Sequence, residues 1–493
     1  MNFNNSTMDF DNSTSRRSFL GSLLATSVLA PVSTVASEVA SRGNVRLRLG
    51  LLSDIHIEGP NAKSVGKFHR ALQYFDRRKA DAVLISGDLA DNGVEPQLQR
   101  MMDVWKEVFP NDRRSDGQPI VRLFHYGDHD TGGYAHKDSF QKAATNLKRL
   151  YKVGDEQIEK WAICNDRAAI WERVTGEKFE PITFKTVKGY DFILAHWTKL
   201  GEGNKPSGCV TPGLEEFFAS HARTGSGKPF FYSQHRIPRN TACGPRMWGQ
   251  DAGRDNAVFA RYPNLMVFCG HGHRNAFCDN SLWQGEFTCV QTPSLNYVAH
   301  EDTEDHPFGP KVKCDTAEQG LFLTVYDKSM VLERIDLRDG LPLGKPWTMA
   351  IAPDGTIERK YTNDQRIRAA VAPQFKPGAT MRMHRDDPGK RLHIRFPSAP
   401  AREGVPRAIR YDVQLDFFHY CGGGLSHLGF SAYSPMCFAA AEKDDCEVHC
   451  EIPYEKLLSE GKMPKVYHVT VRPCGGDGER GLPLECQIGS WYD

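Results

Sequence analysis

The chain has 493 residues, of which 40% are hydrophobic, 25% charged and 10% aromatic. At roughly 150 residues per domain this length allows two or three domains, and the composition is that of an ordinary folded protein rather than a disordered, fibrous or multi-spanning chain. Its 62 Lys and Arg residues against 61 Asp and Glu residues leave a net charge of +1, which excludes bulk electrostatic attraction of nucleic acid or an anionic membrane.

The N-terminal segment predicts an export signal. The stretch Ser15–Leu20 contains Arg16 and Arg17, and a mildly apolar run follows up to Pro31. Paired arginines at this place resemble the twin-arginine signal, and the run is shorter than the roughly 20 residues that span a bilayer. We expect residues 1–40 to be a signal peptide read by the twin-arginine export machinery. The mature chain would then be periplasmic or extracellular, without a membrane span; an uncleaved anchor or a cytoplasmic tail is the alternative.

From Val45 onward the sequence repeats a short apolar segment and then a loop that carries Asp or His. The apolar segments are 45–52, 83–85, 121–124, 192–195, 230–232 and 265–268. An amphipathic helix, whose N-cap we place at Ser64, follows the first segment. Because sites in α/β folds form where loops leave the carboxyl ends of strands, these loops can converge on one point. Residues 45–340 are therefore predicted to form one α/β domain.

Two regions depart from this pattern. Residues 135–185 are helix-rich and lack the spaced acidic and histidine residues, so we expect an insertion that covers or shapes the site. Farther on, apolar residues alternate with period two, as in 392–396 and 409–415. Residues 345–493 are therefore predicted to form an all-β domain that loosely resembles a fibronectin type III sandwich and serves substrate positioning or attachment.

Five motifs carry the candidate chemistry. They are Asp54-Ile55-His56, Gly87-Asp88-Leu89-Ala90-Asp91, Gly127-Asp128-His129-Asp130, His235, and Gly270-His271-Gly272-His273. Each motif is weak alone, but together they follow predicted strands and supply oxygen and nitrogen donors from several loops. Such a mixture is what two divalent ions about 3.5–4 Å apart require.

With these motifs, the chain resembles the calcineurin-like metallophosphoesterase superfamily from Asp54 to His273. The resemblance implies an α/β fold with a metallophosphoesterase-type β-sandwich core flanked by helices. It also implies a ligand set for two divalent or mixed-valence ions of manganese, iron, zinc or nickel. In that set Asp88 bridges the ions, and the remaining ligands are Asp54, His56 and His273 for one ion and Asp128, His235 and His271 for the other.

The resemblance further implies a hydrolase of phosphate mono- or diesters, acting on a small molecule or a phosphorylated macromolecule, and the N-terminal segment predicts that this hydrolase is exported. A hydroxide that bridges two cations is nucleophilic near neutral pH, because coordination lowers the pKa of water from about 15.7 toward about 7. His129 would donate a proton to the departing alkoxide. The Asp91 carboxylate would fix the tautomer of His129.

Asp128 stands where the superfamily usually has Asn. The extra negative charge predicts tighter cation binding and a weaker pull on an anionic phosphate; a benign exchange, altered chemistry and a degenerate site stay open. Asp91 occupies the position at which purple acid phosphatases have a Tyr ligand. Asn92 occupies the position at which protein serine/threonine phosphatases have an Arg. Both classes are therefore disfavoured.

Two other functions stay open. A non-catalytic metal-binding or ligand-binding protein on the same scaffold would account for Asp128 and the large accessory regions, whereas the complete ligand set argues against it. A nuclease is an alternative within the class. The near-neutral charge and the lack of a basic stripe disfavour it, and we expect no stable nucleic-acid binding.

Several histidines and tryptophans have two interpretations. His125 and His196 at strand ends either support the metal ligands or belong to the core. Trp197, Trp248 and Trp283 either line a pocket for a base or sugar or pack in the interior.

Arginine and cysteine residues also leave alternatives. Arg236 and Arg274 either contact phosphate or are surface residues paired with carboxylates. Six of the 13 Cys residues lie between 421 and 486, which allows up to three disulfides in an exported domain. Cys446 and Cys450, with His449 between them, are alternative zinc ligands.

Overall fold

The computed structural model describes residues 43–131, 137–163, 166–197, 213–222, 226–244, 247–300, 312–418, 425–440, 443–457, 465–476 and 478–487. The predicted signal peptide, residues 1–40, lies outside this part of the chain. Within it, every helix is too short or too polar to cross a membrane.

Two large sheets and one two-stranded sheet make up the first part of the chain. Its strands are β1 (Val45–Leu52), β2 (Ala82–Ser86), β3 (Val121–His125), β4 (Ile182–Val187), β5 (Tyr190–Ala195), β6 (Phe230–Ser233), β7 (Leu265–Cys269), β8 (Leu282–Gln284), β9 (Thr288–Gln291), β10 (Val298–His300), β11 (Val312–Cys314), β12 (Gln319–Tyr326), β13 (Ser329–Asp336), β14 (Leu341–Pro342) and β15 (Trp347–Ala350). One large sheet has the order β14-β13-β12-β1-β2-β3, with β15 beside β13, and the other has the order β4-β5-β6-β7-β9-β8; β10 and β11 pair with each other. Strands β1 to β3 are parallel, and so are β5, β6, β7 and β9.

The two sheets face each other across a layer of apolar side chains. Leu49 and Leu84 from the first sheet pack with Phe192, Phe231 and Phe268 from the second, and all five are fully buried. Full burial of one such side chain stabilises the fold by about 1.5–3 kcal/mol. This arrangement confirms the predicted α/β core with mixed sheets.

Helices cover the outer faces of the sheets. They are α1 (Lys63–Arg77), α2 (Glu95–Val108), α3 (Lys137–Tyr151), α4 (Asp155–Ile163), α5 (Arg167–Thr175), α6 (Leu214–His221) and α7 (Asn256–Phe259), and α8 (Asn363–Ala369) follows the sheets. Phe68 of α1 and Trp105 of α2 pack on the first sheet, and Phe218 of α6 packs on the second.

The N-cap predicted at Ser64 is wrong. Helix α1 begins at Lys63, and Ala62 occupies the N-cap without a side-chain hydrogen bond. Ser64 is buried in the first turn, where its hydroxyl accepts a hydrogen bond from the backbone N–H of Glu58 at 3.4 Å. The serine therefore ties the helix to the preceding loop instead of capping it.

Helices α3, α4 and α5 occupy the segment where the sequence predicts an insertion. Leu147 of α3 and Ile158 of α4 form a small cluster with Val94, which lies in the loop after β2. Leu150 lies against Gly59 in the loop after β1. The inserted helices are therefore neighbours of two loops that leave the carboxyl ends of strands.

The last part of the chain is an antiparallel β structure. Its strands are β16 (Arg382–Asp386), β17 (Arg391–Pro397), β18 (Arg410–Phe418), β19 (Leu425–Ala432), β20 (Glu447–Pro453), β21 (Lys465–Cys474) and β22 (Leu484–Gln487). They form the sheets β16-β17-β20 and β19-β18-β21-β22. Ile394, Val413 and Val469 belong to a core between the two sheets, which confirms the alternation and the all-β character. The likeness to fibronectin type III and the domain boundaries stay predictions.

The last part of the chain contacts the first part near residue 275. The Asn275 side-chain amide donates to the carbonyl oxygen of Cys437 at 2.7 Å, and Gln319 donates to the carbonyl oxygen of Phe438 at 2.9 Å. The Arg407 guanidinium donates to the Cys437 carbonyl at 3.0 Å and lies 3.9 Å from the ring centroid of Phe277. Buried polar groups on both sides are thereby paired across the contact.

Gly270, directly after β7, permits the close approach of the two sheets. A Cβ atom at this position would lie 1.7 Å from Ser53 Oγ and 2.8 Å from the Ser86 carbonyl oxygen. We expect Gly270→Ala to destabilise the protein by about 1–3 kcal/mol, since forced overpacking costs that much. Urea unfolding should show a lower midpoint, whereas the control Gly429→Ala, with open space around its Cβ position, should not. Equal midpoints for both variants would contradict the proposed close packing.

Candidate metal centre

The structure gathers the predicted ligands at the carboxyl ends of parallel strands from both sheets. Asp54 and His56 follow β1, Asp88 follows β2, Asp128 follows β3, His235 follows β6, and His271 and His273 follow β7. The backbone φ angle is positive at Asp54 (51°), His56 (42°), Asp88 (54°), His271 (67°) and His273 (48°). Left-handed backbone outside glycine costs on the order of 1–3 kcal/mol per residue, and such conformations concentrate at functional sites.

One group of donors consists of Asp54, His56 and His273. The Asp54 Oδ1 atom lies 3.0 Å from His273 Nε2 and 3.9 Å from His56 Nε2. The two imidazole Nε2 atoms are 3.4 Å apart. All three side chains are buried, so their donor atoms surround one small volume.

A second group consists of Asp88, Asp128, His235 and His271. His235 Nε2 lies 3.0 Å from Asp128 Oδ1 and 3.2 Å from Asp88 Oδ2. His271 approaches Asp128 Oδ1 with its Nδ1 atom at 3.2 Å. Asp88 Oδ2 is also 3.6 Å from His56 Nε2, so this carboxylate lies between the two groups.

Hydrogen bonds from the surrounding backbone orient these donors. His235 Nδ1 donates to the Ser86 carbonyl at 2.7 Å, and His273 Nδ1 faces the Tyr297 carbonyl at 3.2 Å. The backbone N–H of His271 donates to Asp54 Oδ2 at 3.1 Å. Such outer contacts fix the imidazole tautomers and leave the Nε2 lone pairs directed at the centre.

The residues fit a pair of divalent cations. Asp54 Oδ1, Asp128 Oδ1 and His235 Nε2 are buried polar atoms that lie close to other donors of the centre but make no hydrogen bond of good geometry. Such atoms are costly unless a ligand satisfies them. Burial raises the pKa of the Asp54 carboxyl, but His273, His235 and His56 outweigh burial and lower this pKa well below its usual range. Mixed imidazole and carboxylate donors suit zinc, iron, manganese or nickel.

His129 lies beside the two groups. Its Nδ1 donates to the backbone carbonyl of Asp91 at 2.7 Å, whereas the Asp91 carboxylate is 3.9 Å away and closer to His56 Nδ1, at 3.5 Å. The backbone of Asp91, more than its side chain, therefore orients His129. Burial lowers the pKa of His129, but the carboxylates of Asp88, Asp128 and Asp91 raise it to about 9.

Asp130 has a role that the sequence motif did not assign. Its buried carboxylate accepts hydrogen bonds from the backbone N–H groups of Leu89 (3.0 Å), Ala90 (2.7 Å) and Gly127 (2.7 Å). Burial and the charge of Asp88 raise the pKa of Asp130 to about 7. Asp130 therefore joins the loops after β2 and β3. In the sequence, only its place two residues after Asp128 could have indicated this role.

His125 and His196 belong to the interior. His125 Nε2 lies 2.8 Å from the Ser233 hydroxyl, and His196 Nδ1 accepts the backbone N–H of Tyr126 at 3.2 Å. Burial lowers the pKa of His125 to about 3 and that of His196 well below its usual range. Both imidazoles are therefore neutral structural groups near neutral pH.

Aromatic side chains border the centre. Trp248, 54% exposed, stacks on His271 with ring centroids 4.7 Å apart, and Trp197 lies 6.2 Å from His235. Tyr297, which the sequence did not single out, stacks on His273 at 4.1 Å. Trp283 instead packs against Phe287, away from the donors.

The two arginines differ from each other. The Arg236 guanidinium lies 5.0 Å from the ring centroid of Trp197, near the centre. Arg274 is only partly exposed, and Cys243, Cys278 and Tyr433 lie near its guanidinium. Both interpretations of Arg274 stay predictions.

The cysteines do not form the alternative zinc site. Cys450 points into the core of the β structure, whereas His449, the next residue toward the N-terminus, is exposed on the other face. The ten cysteines within the described residues are free thiols, and Cys164, Cys209 and Cys421 lie outside those residues.

Comparisons with known proteins agree with this geometry. Residues 47–275 match the family model described as calcineurin-like phosphoesterase. No curated protein matches the chain.

Solved structures similar to this chain have low sequence identity. A dimetal phosphatase from Danio rerio is 10% identical, with a TM-score of 0.38, and the match covers 62% of this chain and 99% of that protein. A purple acid phosphatase from yellow lupin (Lupinus luteus) seeds is 14% identical, with a TM-score of 0.36. The match covers 62% of this chain and 54% of that protein. The family match, together with the two donor groups at the strand ends, identifies residues 47–275 as a calcineurin-like phosphoesterase domain.

Proposed function

We propose that the protein hydrolyses phosphate mono- or diesters with two divalent cations held by the two donor groups. The position of Asp88 carries this proposal. One of its oxygens, Oδ2, lies 3.2 Å from His235 Nε2 in one group and 3.6 Å from His56 Nε2 in the other. A carboxylate shared in this way is suited to bridge two ions, and two-metal sites are typical of phosphate-ester hydrolases.

The protein residues have distinct tasks in this reaction. When bound, the cations would supply a nucleophile derived from water and positive charge for the phosphate oxygens. The backbone N–H of His129 donates to Asp88 Oδ1 at 3.0 Å, and its Nδ1 donates to the Asp91 carbonyl. His129 is therefore fixed next to the Asp88 carboxylate, and we assign it the transfer of a proton to the leaving oxygen.

The first test is hydrolysis of p-nitrophenyl phosphate and bis-p-nitrophenyl phosphate with manganese, zinc, iron or nickel. We expect metal-dependent turnover, and we expect His129→Ala to lower kcat about 10²–10⁴-fold, the usual contribution of a general acid. Metal content should stay unchanged. Loss of metal together with activity would make His129 a ligand, because His56, Asp88 and His129 also lie within reach of one ion. Folded, metal-loaded wild-type protein without turnover would favour the non-catalytic alternative.

Asp128 provides a second test. Its Oδ1 atom faces two imidazoles of one donor group, so the extra negative charge acts directly on the adjacent ion. We expect Asp128→Asn to weaken Mn²⁺ binding on the order of tenfold, since ligand charge sets cation affinity, and to lower KM for an anionic phosphate ester. Metal titration and steady-state kinetics measure both effects. The exposed Asp354→Asn is the control; unchanged affinity and KM in Asp128→Asn would show that the charge is irrelevant.

We propose that Trp248 contacts a planar or apolar part of the leaving group. Its exposed ring stacks on His271, and an aromatic pair contributes about 0.5–1.5 kcal/mol beyond burial. We expect Trp248→Ala to raise KM for p-nitrophenyl phosphate by up to about tenfold, which corresponds to 1.4 kcal/mol, and to leave KM for glycerol phosphate unchanged. Trp248→Phe should retain most of the effect. Equal changes for both substrates would contradict the stacking role.

We also propose export through the twin-arginine route, supported by Arg16 and Arg17 ahead of an apolar run. Cell fractionation of a bacterium that expresses the full chain tests this proposal. The double substitution R16K/R17K should keep the protein in the cytoplasm, whereas Arg42→Lys should not. Identical fractions for all three proteins would refute the twin-arginine assignment.

A further inference from the structure

The sheet β16-β17-β20 carries a further group of metal-type donors on its outer face, apart from the two groups described above. Strand alternation turns Leu392 and Ile394 of β17 toward the core and leaves His393 on the opposite face. In β20 the same alternation exposes His449 and Glu451. In the antiparallel register, His393 pairs with Glu451, so these side chains are neighbours across two rigid strands.

The distances are short enough for one ion to contact all three. His393 Nδ1 lies 2.8 Å from His449 Nε2 and 4.0 Å from Glu451 Oε2. The imidazole rings are nearly parallel, at 21°, with centroids 5.0 Å apart. We propose that His393, His449 and Glu451 bind one Zn²⁺ ion at a site separate from the two donor groups of the phosphoesterase domain.

The donor set and geometry suit zinc. Zinc accepts imidazole nitrogens at about 2.0–2.1 Å and carboxylate oxygens at about 2.0–2.2 Å in a tetrahedral arrangement. Two nitrogens on such an ion are about 3.3 Å apart, so the rings need to separate by only about 0.5 Å. A groove of about 430 Å³, bordered by His384, Asp386 and His393, lies beside these donors.

Neighbouring residues support the same assignment. The Asp386 carboxylate lies 3.9 Å from His393 Nε2, the ring nitrogen that does not face His449. A carboxylate behind a histidine stabilises the tautomer that leaves the other nitrogen free for a metal.

Charged neighbours also set the strength of the site. Glu451 is paired with Arg391, and Arg395 with Glu447 at 3.3 Å. Zn²⁺ must therefore compete with Arg391 for the carboxylate. The two imidazoles then provide most of the affinity, and His449 and His393 are the residues to substitute.

The test is isothermal titration of Zn²⁺ into the full-length protein as purified with its own metals, with metal content measured before and after. We expect the wild type to bind one more Zn²⁺ than His449→Gln or His393→Gln, with p-nitrophenyl phosphate hydrolysis unchanged in both. Asp386→Asn should weaken this binding about 10–100-fold, the usual effect of an outer carboxylate. His427→Gln, which changes a 69% exposed histidine on the other sheet, should bind like the wild type.

Circular dichroism confirms that each variant is folded before titration. Cu²⁺ provides a second readout, because its electron paramagnetic resonance spectrum reports nitrogen ligands. We expect two coordinated nitrogens in the wild type and one in His449→Gln at this site. Equal Zn²⁺ stoichiometry in the wild type, His449→Gln and His393→Gln would overturn the proposal.

Discussion

Concentrated negative charge at one edge of the two sheets is the constraint on which the site depends. Asp54, Asp88 and Asp128 place three carboxylates among histidines in a buried volume, where the penalty for unpaired charge is high. Two backbone N–H groups, those of His129 and His271, each bind one oxygen of a carboxylate and leave the other oxygen facing the donors. Bound cations would complete this arrangement, and under the proposed function the same negative charge would be the source of metal affinity.

The scaffold resists this repulsion through close packing and unusual backbone. The left-handed conformations at Asp54, Asp88 and His271 turn the chain sharply at the strand ends, so that side chains from both sheets face one another. The Asp130 carboxylate adds a local connection by accepting backbone N–H groups from two loops. The geometry of the donor groups therefore also depends on Asp130, which is not one of the donors.

The sequence was most informative where local patterns decide structure. Buried strands followed by Asp or His could be predicted, because apolar segments form strands and their parallel ends share an edge. Three features could not be predicted, because each depends on which distant groups come near. They are the place of Ser64 within helix α1, the environment of Arg274, and the contact between the Asp91 backbone and His129. The pairing of His393 with His449 has the same origin, because it requires the register of two strands 56 positions apart.

The hydrogen bond from Asn275 to the Cys437 carbonyl has a consequence for how this polypeptide can be divided. Asn275 lies two residues after His273, so the peptide that positions a proposed ligand is directly attached to the C-terminal β structure. Without the C-terminal β structure, the side chains of Asn275 and Gln319 would lose their hydrogen-bond acceptors, the carbonyl oxygens of Cys437 and Phe438. The ring of Phe277 would also become exposed. The C-terminal β structure therefore takes part in the packing of the loop that carries His273, and the position of this loop depends on contacts from both regions.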